Sequence, residues 1–175
     1  MPSSDGHPTS GDLHERLQAL VGSWTGSGDW SVPDEGTRSY ADDRTILAEP
    51  SGALCIRTRL RWLDGDEAAR DFRLEVAHVF CAPGNELRFR AISPQRPPLG
   101  LTGSASEGAL DSLALDFAGN AWTAQVAARA TTRETVQLSY ALRDDALSWS
   151  IWSASAREGR AERSYTARSW LQRTR

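Results

Sequence analysis

The sequence predicts an all-β protein: an antiparallel barrel of ten or so strands, preceded by one short N-terminal helix. Three observations lead to this prediction. From Ser23 onward the chain consists of short segments separated by tight turn clusters. Several of these segments alternate apolar and polar residues with a period of two. A helical period occurs once, near the N-terminus. Closing such a meander into a barrel would leave no unpaired strand edge.

Length and composition are those of one folded domain. The chain has 175 residues, of which 39% are hydrophobic, and it contains seven tryptophans. We expect a flexible tail over residues 1–11 and a single barrel domain over 12–175. The net charge of −3 argues against a protein that binds nucleic acid through phosphates. All 20 basic residues are arginine, so Schiff-base chemistry on lysine is excluded.

The predicted helix follows a capping pattern and ends at a glycine. Asp12 and Glu15 have the spacing of a capping box, with Asp in place of Ser or Thr. Gly22 is suited to the residue that follows the last helical turn. The apolar residues of the segment share one face and are Leu13, Leu17, Leu20 and Val21. A helix this short needs a surface to cover, and the end of a barrel is the obvious one.

Turn clusters divide the rest of the chain into strands. We place the strands near residues 23–32, 37–48, 53–63, 70–81, 85–93, 99–106, 110–118, 121–130, 133–143, 146–155 and 161–172. In this division Gly119-Asn120 is a turn. The prolines make 94–98 an irregular loop at one mouth of the barrel.

The two-residue alternation predicts which side chains line the interior. Arginine is costly to bury unpaired, so the arginine faces of the strands should point to water and the apolar faces inward. A barrel of ten strands is wide enough to leave room for a ligand. The side chains predicted to bind that ligand are Trp62, Phe72, Leu74, Val76, Phe80 and Trp149.

Three residues are candidates for catalysis. His78 lies on the predicted inward face and could transfer a proton or bind a ligand hydroxyl. Tyr40 and Tyr140 could polarise a substrate through their hydroxyl groups. Asp42 and Arg44 share one face of their strand. An inward pair could orient a polar ligand head, whereas an outward pair would be a solvated surface ion pair.

Metal and redox sites are not predicted. Two cysteines, Cys55 and Cys81, make neither a disulfide framework nor a zinc motif, and we expect them to lie on neighbouring strands. We expect no cofactor. The first 20 residues lack an apolar signal region, and no segment reaches membrane-spanning length. The prediction is a cytoplasmic monomer or homodimer with no membrane or nucleic-acid partner.

The first predicted strand carries a family resemblance. Residues 22–28 read Gly-Ser-Trp-Thr-Gly-Ser-Gly, which resembles the Gly-x-Trp opening strand of the calycin barrels and, among them, the bacterial nitrobindin-like and other fatty-acid-binding-protein-like families. The resemblance implies that Trp24 packs near an arginine of the last strand, either Arg168 or Arg173. Nitrobindins that bind haem use a histidine on a strand near the C-terminus. Here the corresponding residues 163–171 contain no His, Cys or Met.

Two main functions fit these expectations. The first is binding of a small hydrophobic or aromatic molecule inside the barrel. The alternative is a cyclase or isomerase of bacterial secondary metabolism, since calycin-like barrels also occur with such activities and can act by holding a substrate in a reactive shape. A third possibility is an interaction protein whose barrel is filled by its own side chains.

Overall fold

The structure is a computed structural model, and it describes residues 10–84, 86–106, 113–125, 130–157 and 160–174. Residues 1–9, most of the predicted tail, lie outside the described residues. One helix and ten strands follow in chain order: α1 (Ser10–Gln18), β1 (Gly22–Val32), β2 (Gly36–Ala48), β3 (Leu54–Trp62), β4 (Asp71–Cys81), β5 (Leu87–Ser93), β6 (Arg96–Ser106), β7 (Leu113–Gln125), β8 (Ala130–Arg143), β9 (Ala146–Arg157) and β10 (Arg160–Arg173).

The ten strands form a closed antiparallel barrel. Each strand pairs with its neighbours in the sequence, and β1 also pairs with β10 to close the sheet. This confirms the predicted fold class. Because the strands alternate in direction, the connections fall at two ends. We call the end that carries α1 and the turn at residues 49–53 the helix end. The opposite end, with the turns at 33–35 and 63–70, is the aromatic end.

The helix end is closed by α1, whose apolar stripe enters the barrel core. Leu13 and Leu17 of α1, and Leu20 just after it, are 0–4% exposed and belong to the same apolar cluster as the inward-facing strand residues. The helix starts at Ser10, two residues before the predicted cap. It is the only helix within the described ranges, and with nine residues it is neither long nor apolar enough to cross a membrane.

The strand prediction was wrong at two places. The segments 110–118 and 121–130 belong largely to one strand, β7, and Gly119 lies inside it. A Cβ atom at Gly119 would be 2.9 Å from Leu101 Cδ2 and 3.0 Å from the carbonyl oxygen of Gly100. This glycine therefore permits the close approach of β6 instead of making a turn. The predicted loop at 94–98 is shorter as well, because β6 already begins at Arg96.

The inward face predicted for β4 was also wrong. The pairing with β3 shifts by one residue between Leu60–Arg73 and Arg61–Asp71, so Phe72 is the extra residue of a β-bulge. After the bulge Arg73, Ala77 and Val79 are buried. The predicted inward residues Leu74, Val76, His78 and Phe80 lie on the outer face instead. A one-residue change of phase exchanges the two faces of a strand, and the bulge provides it.

Candidate functional site

A buried ion pair between two inward-facing residues of β2 lies inside the barrel. Arg44 binds Asp42 through two nitrogens, with Nε–Oδ1 at 2.9 Å and Nη2–Oδ2 at 2.8 Å, and both side chains are at most 1% exposed. The pair therefore points inward, which is one of the two orientations considered in the sequence analysis. The third nitrogen, Nη1, donates to the hydroxyl of Tyr140 at 3.1 Å. The guanidinium also lies 4.3 Å from the ring centre of Trp149. Arg44 thus links β2 with β8 and β9 across the interior.

The other side of this network is formed by Tyr40 and Ser169. Ser169 Oγ donates to Asp42 Oδ2 at 2.5 Å, and the Tyr40 hydroxyl lies 2.9 Å from Ser169 Oγ and 3.0 Å from the carbonyl oxygen of Arg168. The ring of Tyr40 reaches this position across Gly28, where a Cβ atom would be 2.6 Å from the ring. Asp42 and Arg44 therefore both have their hydrogen-bonding groups occupied by protein atoms.

Protonation in this network is set mainly by burial. Burial raises the pKa of Tyr140 to about 12, against the opposing effect of the Arg44 charge. Burial likewise raises the pKa of Tyr40, although its contact with Ser169 lowers it. For Arg44, burial opposes the charge, but the Asp42 carboxylate more than offsets this, so the pKa lies above its ordinary value. At neutral pH both phenols are therefore protonated beside the charged Arg44 guanidinium.

Four half-buried rings gather at the aromatic end. Trp30 stacks on Tyr165 with ring centres 4.3 Å apart, and Trp62 stacks on Phe72 at 3.8 Å. The two stacks meet edge to face, with Trp30 and Phe72 5.4 Å apart. All four rings pack against the core without being fully covered. We call Trp30, Trp62, Phe72 and Tyr165 the aromatic cluster.

Charged residues lie directly beneath the aromatic cluster. Arg73 is 7% exposed; its guanidinium lies 5.3 Å from the ring centre of Trp30, and its Nη2 donates to the Tyr165 hydroxyl at 3.1 Å. Burial opposes its charge, but Tyr165 and Glu75 raise the pKa of Arg73 above the ordinary value. The next inward residue of β4, Glu75, lies 3.2 Å from Arg96, and both side chains are 10% exposed.

Two atoms of this group have unused hydrogen-bonding capacity. Arg96 Nη1 is buried and has no hydrogen-bond partner among the described residues. Glu75 Oε2 is also buried; it is ion-paired with Arg96 Nη2 at 3.2 Å but accepts no hydrogen bond there. Unpaired buried polar atoms are uncommon in folded proteins and often mark the place of a water molecule or a ligand group. One atom accepts and the other donates. The aromatic end can therefore bind a flat ring and a polar group that both donates and accepts.

The structure brings some of the predicted site residues together and separates others. Trp62 and Phe72 stack at the aromatic end. Tyr40, Tyr140 and Trp149 belong to the network around Arg44. The outer-face residues Leu74 and Val76 line a groove of about 840 Å³ on the wall of the barrel, with Arg57 and Arg59 beside them. Phe80 lies on the same wall, beneath the guanidinium of Arg90.

His78 is also on the outer wall, so it cannot ligate a haem iron or transfer a proton inside the barrel. There its Nε2 lies 3.3 Å from Glu49 Oε1. The ligand atoms of Glu49, Cys55 and His78 all lie within 4.8 Å of one another. Sequence analysis missed this group. It also missed Arg73 and Glu75, since both were assigned to the outer face of β4.

These features define the class of protein: a lipocalin-like barrel with a closed helix end and a polar, aromatic-lined interior at the other end. The implied contact between Trp24 and an arginine of the last strand is confirmed, because the guanidinium of Arg173 lies 4.2 Å from the Trp24 ring centre. The nitrobindin-like family itself stays a prediction.

Among solved structures, the chain is similar to Rv2717c from M. tuberculosis, with a TM-score of 0.68 and 18% identity over 92% of this chain and 96% of that one. It is also similar to the S-type phycobiliprotein lyase CpeS from Guillardia theta, with a TM-score of 0.53 and 10% identity over 99% of each chain. At these identities the likeness shows the fold alone. No known family and no curated protein matches the sequence.

Proposed function

We propose that this protein binds a small planar aromatic or conjugated molecule with a polar edge, in the barrel interior at the aromatic end. One observation carries the proposal: half-buried stacked rings lie directly above buried charged groups that have unused hydrogen-bonding capacity. Protein sites for small molecules commonly combine apolar and aromatic walls with a few convergent polar groups.

The aromatic cluster supplies the apolar part of the proposed site. Its rings are already paired, with centres 4.3 Å and 3.8 Å apart, and all four are only partly buried. A further flat ring would extend either stack, a contact of about 1 kcal/mol beyond its area burial. Arg73 beneath Trp30 would add an attraction to electron-rich rings.

The charged group beneath the rings supplies the polar part. Arg96 Nη1 offers a donor, and Glu75 Oε2, which is ion-paired with Arg96 Nη2, can still accept a hydrogen bond, so a hydroxyl, an amide or a similar group would satisfy both. By contrast, the polar atoms of Asp42 and Arg44 are bound by protein partners and form a floor to the site. This division favours a ligand confined to the aromatic end over one that fills the whole barrel.

A cyclase or isomerase on the same scaffold stays a prediction, and the site supports it less. The hydroxyl groups of both phenols predicted to polarise a substrate already bind protein groups: that of Tyr40 contacts Ser169 and the carbonyl oxygen of Arg168, and that of Tyr140 accepts from Arg44. His78 lies on the outer wall. Any catalysis in the barrel would therefore depend on shaping the substrate.

The probe for the test is 1-anilinonaphthalene-8-sulfonate, an aromatic anion with a flat naphthalene ring, one N–H donor and a sulfonate group whose oxygens accept hydrogen bonds. Its fluorescence is followed while it is titrated into the wild-type protein, Trp62→Ala and Val76→Ser. Val76 is the matched control, because it is an apolar residue of the outer groove. We expect one saturable site, with affinity reduced about tenfold in Trp62→Ala and unchanged in Val76→Ser.

The opposite pattern would move the site to the outer groove. If Val76→Ser lost the probe and Trp62→Ala kept it, the interior site would be excluded. Absence of saturable binding in the wild-type protein would likewise contradict the proposal. An Arg96→Met variant tests the polar part, because it removes the unused donor and the ion pair with Glu75 while keeping most of the side-chain volume.

A further inference from the structure

We propose that Glu49, Cys55 and His78 form a zinc-binding site on the outer wall of the barrel, near the helix end. The three side chains offer a carboxylate oxygen, a thiolate sulfur and an imidazole nitrogen, all of which are common zinc ligands. They come from three different parts of the chain. Their convergence on one point is a property of the fold and of no local motif.

The strand register places the first two ligands side by side. Cys55 of β3 and His78 of β4 are directly paired across the sheet, and both side chains lie on its outer face. Directly paired residues on one face have Cβ atoms about 5 Å apart, a separation that a single ion can bridge. Cys55 is 8% exposed and lies at the bottom of the site, while the side chain of His78 is 41% exposed.

The turn between β2 and β3 brings in the third ligand. Glu49 is held at both its backbone groups: its N–H donates to the carbonyl oxygen of Ala53 at 2.8 Å, and its own carbonyl oxygen accepts from the N–H of Gly52 at 2.9 Å. This turn fixes where the Glu49 side chain starts. The backbone positions of all three ligands are therefore set before an ion binds, which reduces the entropy lost on binding.

The distances fit a tetrahedral ion with small adjustments. With zinc–ligand bonds of about 2.0–2.3 Å, ligand atoms in a tetrahedron are about 3.3–3.7 Å apart. The observed distance from His78 Nε2 to Glu49 Oε1 is 3.3 Å, which already has this value. All ligand atoms lie within 4.8 Å of one another, so the remaining approach is roughly an ångström. Side-chain rotation suffices for that.

The donor set indicates the kind of ion. A thiolate with an imidazole suits zinc better than magnesium or calcium, which prefer oxygen ligands. Three protein ligands leave a fourth position for water, and the exposed sides of His78 and Glu49 face solvent there. Arg90, the β5 neighbour of His78, has its guanidinium 5.4 Å from the ring centre of Phe80. Arg90, the positively charged residue that β5 places beside His78, is thus in contact with Phe80.

The site is independent of the proposed ligand site. Cys55 and His78 point outward, whereas the neighbouring inward residues of β3, Leu54 and Ile56, belong to the barrel core. Changes at the zinc ligands should therefore leave the binding of 1-anilinonaphthalene-8-sulfonate unaltered. Failure of one proposal does not affect the other, and the two titrations distinguish them.

The experiment uses the full chain without an affinity tag, reduced and freed of metal with a chelator. Zinc affinity is measured by competition with a chromophoric chelator, and cobalt is added to a second sample to detect the thiolate-to-metal charge-transfer absorption. We expect one ion per chain. Cys55→Ser, His78→Ala and Glu49→Gln should each weaken zinc binding at least about tenfold, and Cys55→Ser should abolish the charge-transfer band.

Three matched variants change the same residue types elsewhere: Cys81→Ser, His7→Ala and Glu86→Gln. They should keep the affinity and the cobalt spectrum of the wild-type protein. Absence of stoichiometric zinc binding, or equal affinity in His78→Ala and wild type, would reduce the group to an ordinary histidine–glutamate pair and overturn the proposal. If Cys55→Ser does not fold, His78→Ala and Glu49→Gln still decide, because both residues are partly exposed.

Discussion

Each end of the barrel contains an arginine that lies over a tryptophan ring, but the two contacts have different roles. At the helix end Arg173 lies over Trp24, and its guanidinium donates to the carbonyl oxygens of Val21 at 2.6 Å and Ala19 at 2.7 Å. At the aromatic end Arg73 lies over Trp30 and, within the described chain, donates to one hydroxyl. The first arginine caps a helix. The second lies beside groups with unused hydrogen-bonding capacity.

The same contrast holds for the rings. Trp24 is 1% exposed, and its indole nitrogen donates to the carbonyl oxygen of Leu20 at 2.9 Å. The aromatic cluster is only half-buried. A buried ring with a satisfied N–H stabilises the fold, whereas a half-exposed stack remains available to a further ring. The comparison teaches that two similar arginine–tryptophan contacts can differ in their partners: Arg173 is held by two backbone carbonyl oxygens, whereas Arg73 donates to a side-chain hydroxyl.

The largest expected effect separates the two ends by stability. Trp24→Ala should lower the free energy of unfolding by about 3–5 kcal/mol, since it empties a buried position and removes the contact with Arg173. Trp62→Ala should cost less than half of that, because its ring is partly exposed. Urea denaturation of both variants measures the difference. Equal losses would mean that the aromatic end is as much a part of the core as the helix end.

An intermediate effect concerns the network between the two ends. The folded protein holds the pKa of Tyr140 at about 12, above the ordinary value of 10.0. A raised pKa in the folded state gives stability that is fully present below pH 10 and is lost as the pH rises toward 12.

We therefore expect Tyr140→Phe to be less stable than wild type by about 1 kcal/mol at neutral pH, because it loses the hydrogen bond to Arg44. Between pH 10 and 12 the free energy of unfolding should fall by about 2 kcal/mol more for wild type than for the variant. Urea denaturation at a series of pH values measures this. If the free energies of unfolding of the two proteins changed in parallel over the whole pH range, Tyr140 would ionise as easily in the folded as in the unfolded chain.

The smallest expected effect is at the rim of the aromatic end. The guanidinium of Arg38 lies 3.9 Å from the ring centre of Trp62, and its Nη1 lies 3.2 Å from Glu67 Oε2. Because the Arg38 side chain is 39% exposed, Arg38→Ala should cost less than about 1 kcal/mol, decreasing further in high salt.

The control for Arg38→Ala is Arg59→Ala, which breaks an exposed ion pair with Asp71. Thermal unfolding at low and high salt measures both variants. A loss for Arg38→Ala as large as that for Trp24→Ala would show that the rim is structural.

Sequence patterns predicted the architecture because its signals are local. Turn clusters and the helical stripe before Gly22 were sufficient for the closed barrel with one short helix, and the resemblance supplied the contact of Trp24 with Arg173. The division into eleven strands instead of ten came from Gly119-Asn120. That dipeptide is typical of a turn, but here the glycine accommodates a neighbouring strand.

The candidate sites were harder to predict because they depend on strand phase. On β4 the more apolar face points outward and the face with Arg73 and Glu75 points inward, a reversal that begins at the bulge of Phe72. Hydrophobicity alone assigns these faces the other way. The same error separated His78 from Cys55 in the prediction, since the two were placed on opposite sides of the wall. A bulge has no clear signal in a single sequence.

The pairing of β1 with β10 has a consequence for how the chain folds. Trp24 is aligned with Arg173, and the backbone N–H of Thr174 donates to the carbonyl oxygen of Ser23 at 2.8 Å, so contacts that close the barrel join residues about 150 positions apart. Contacts of such high sequence separation form slowly. During synthesis the first strand must wait, with one edge unpaired and its helix uncapped, until the last strand has been made. Closure of this barrel therefore depends on β10, which is synthesised last of the ten strands.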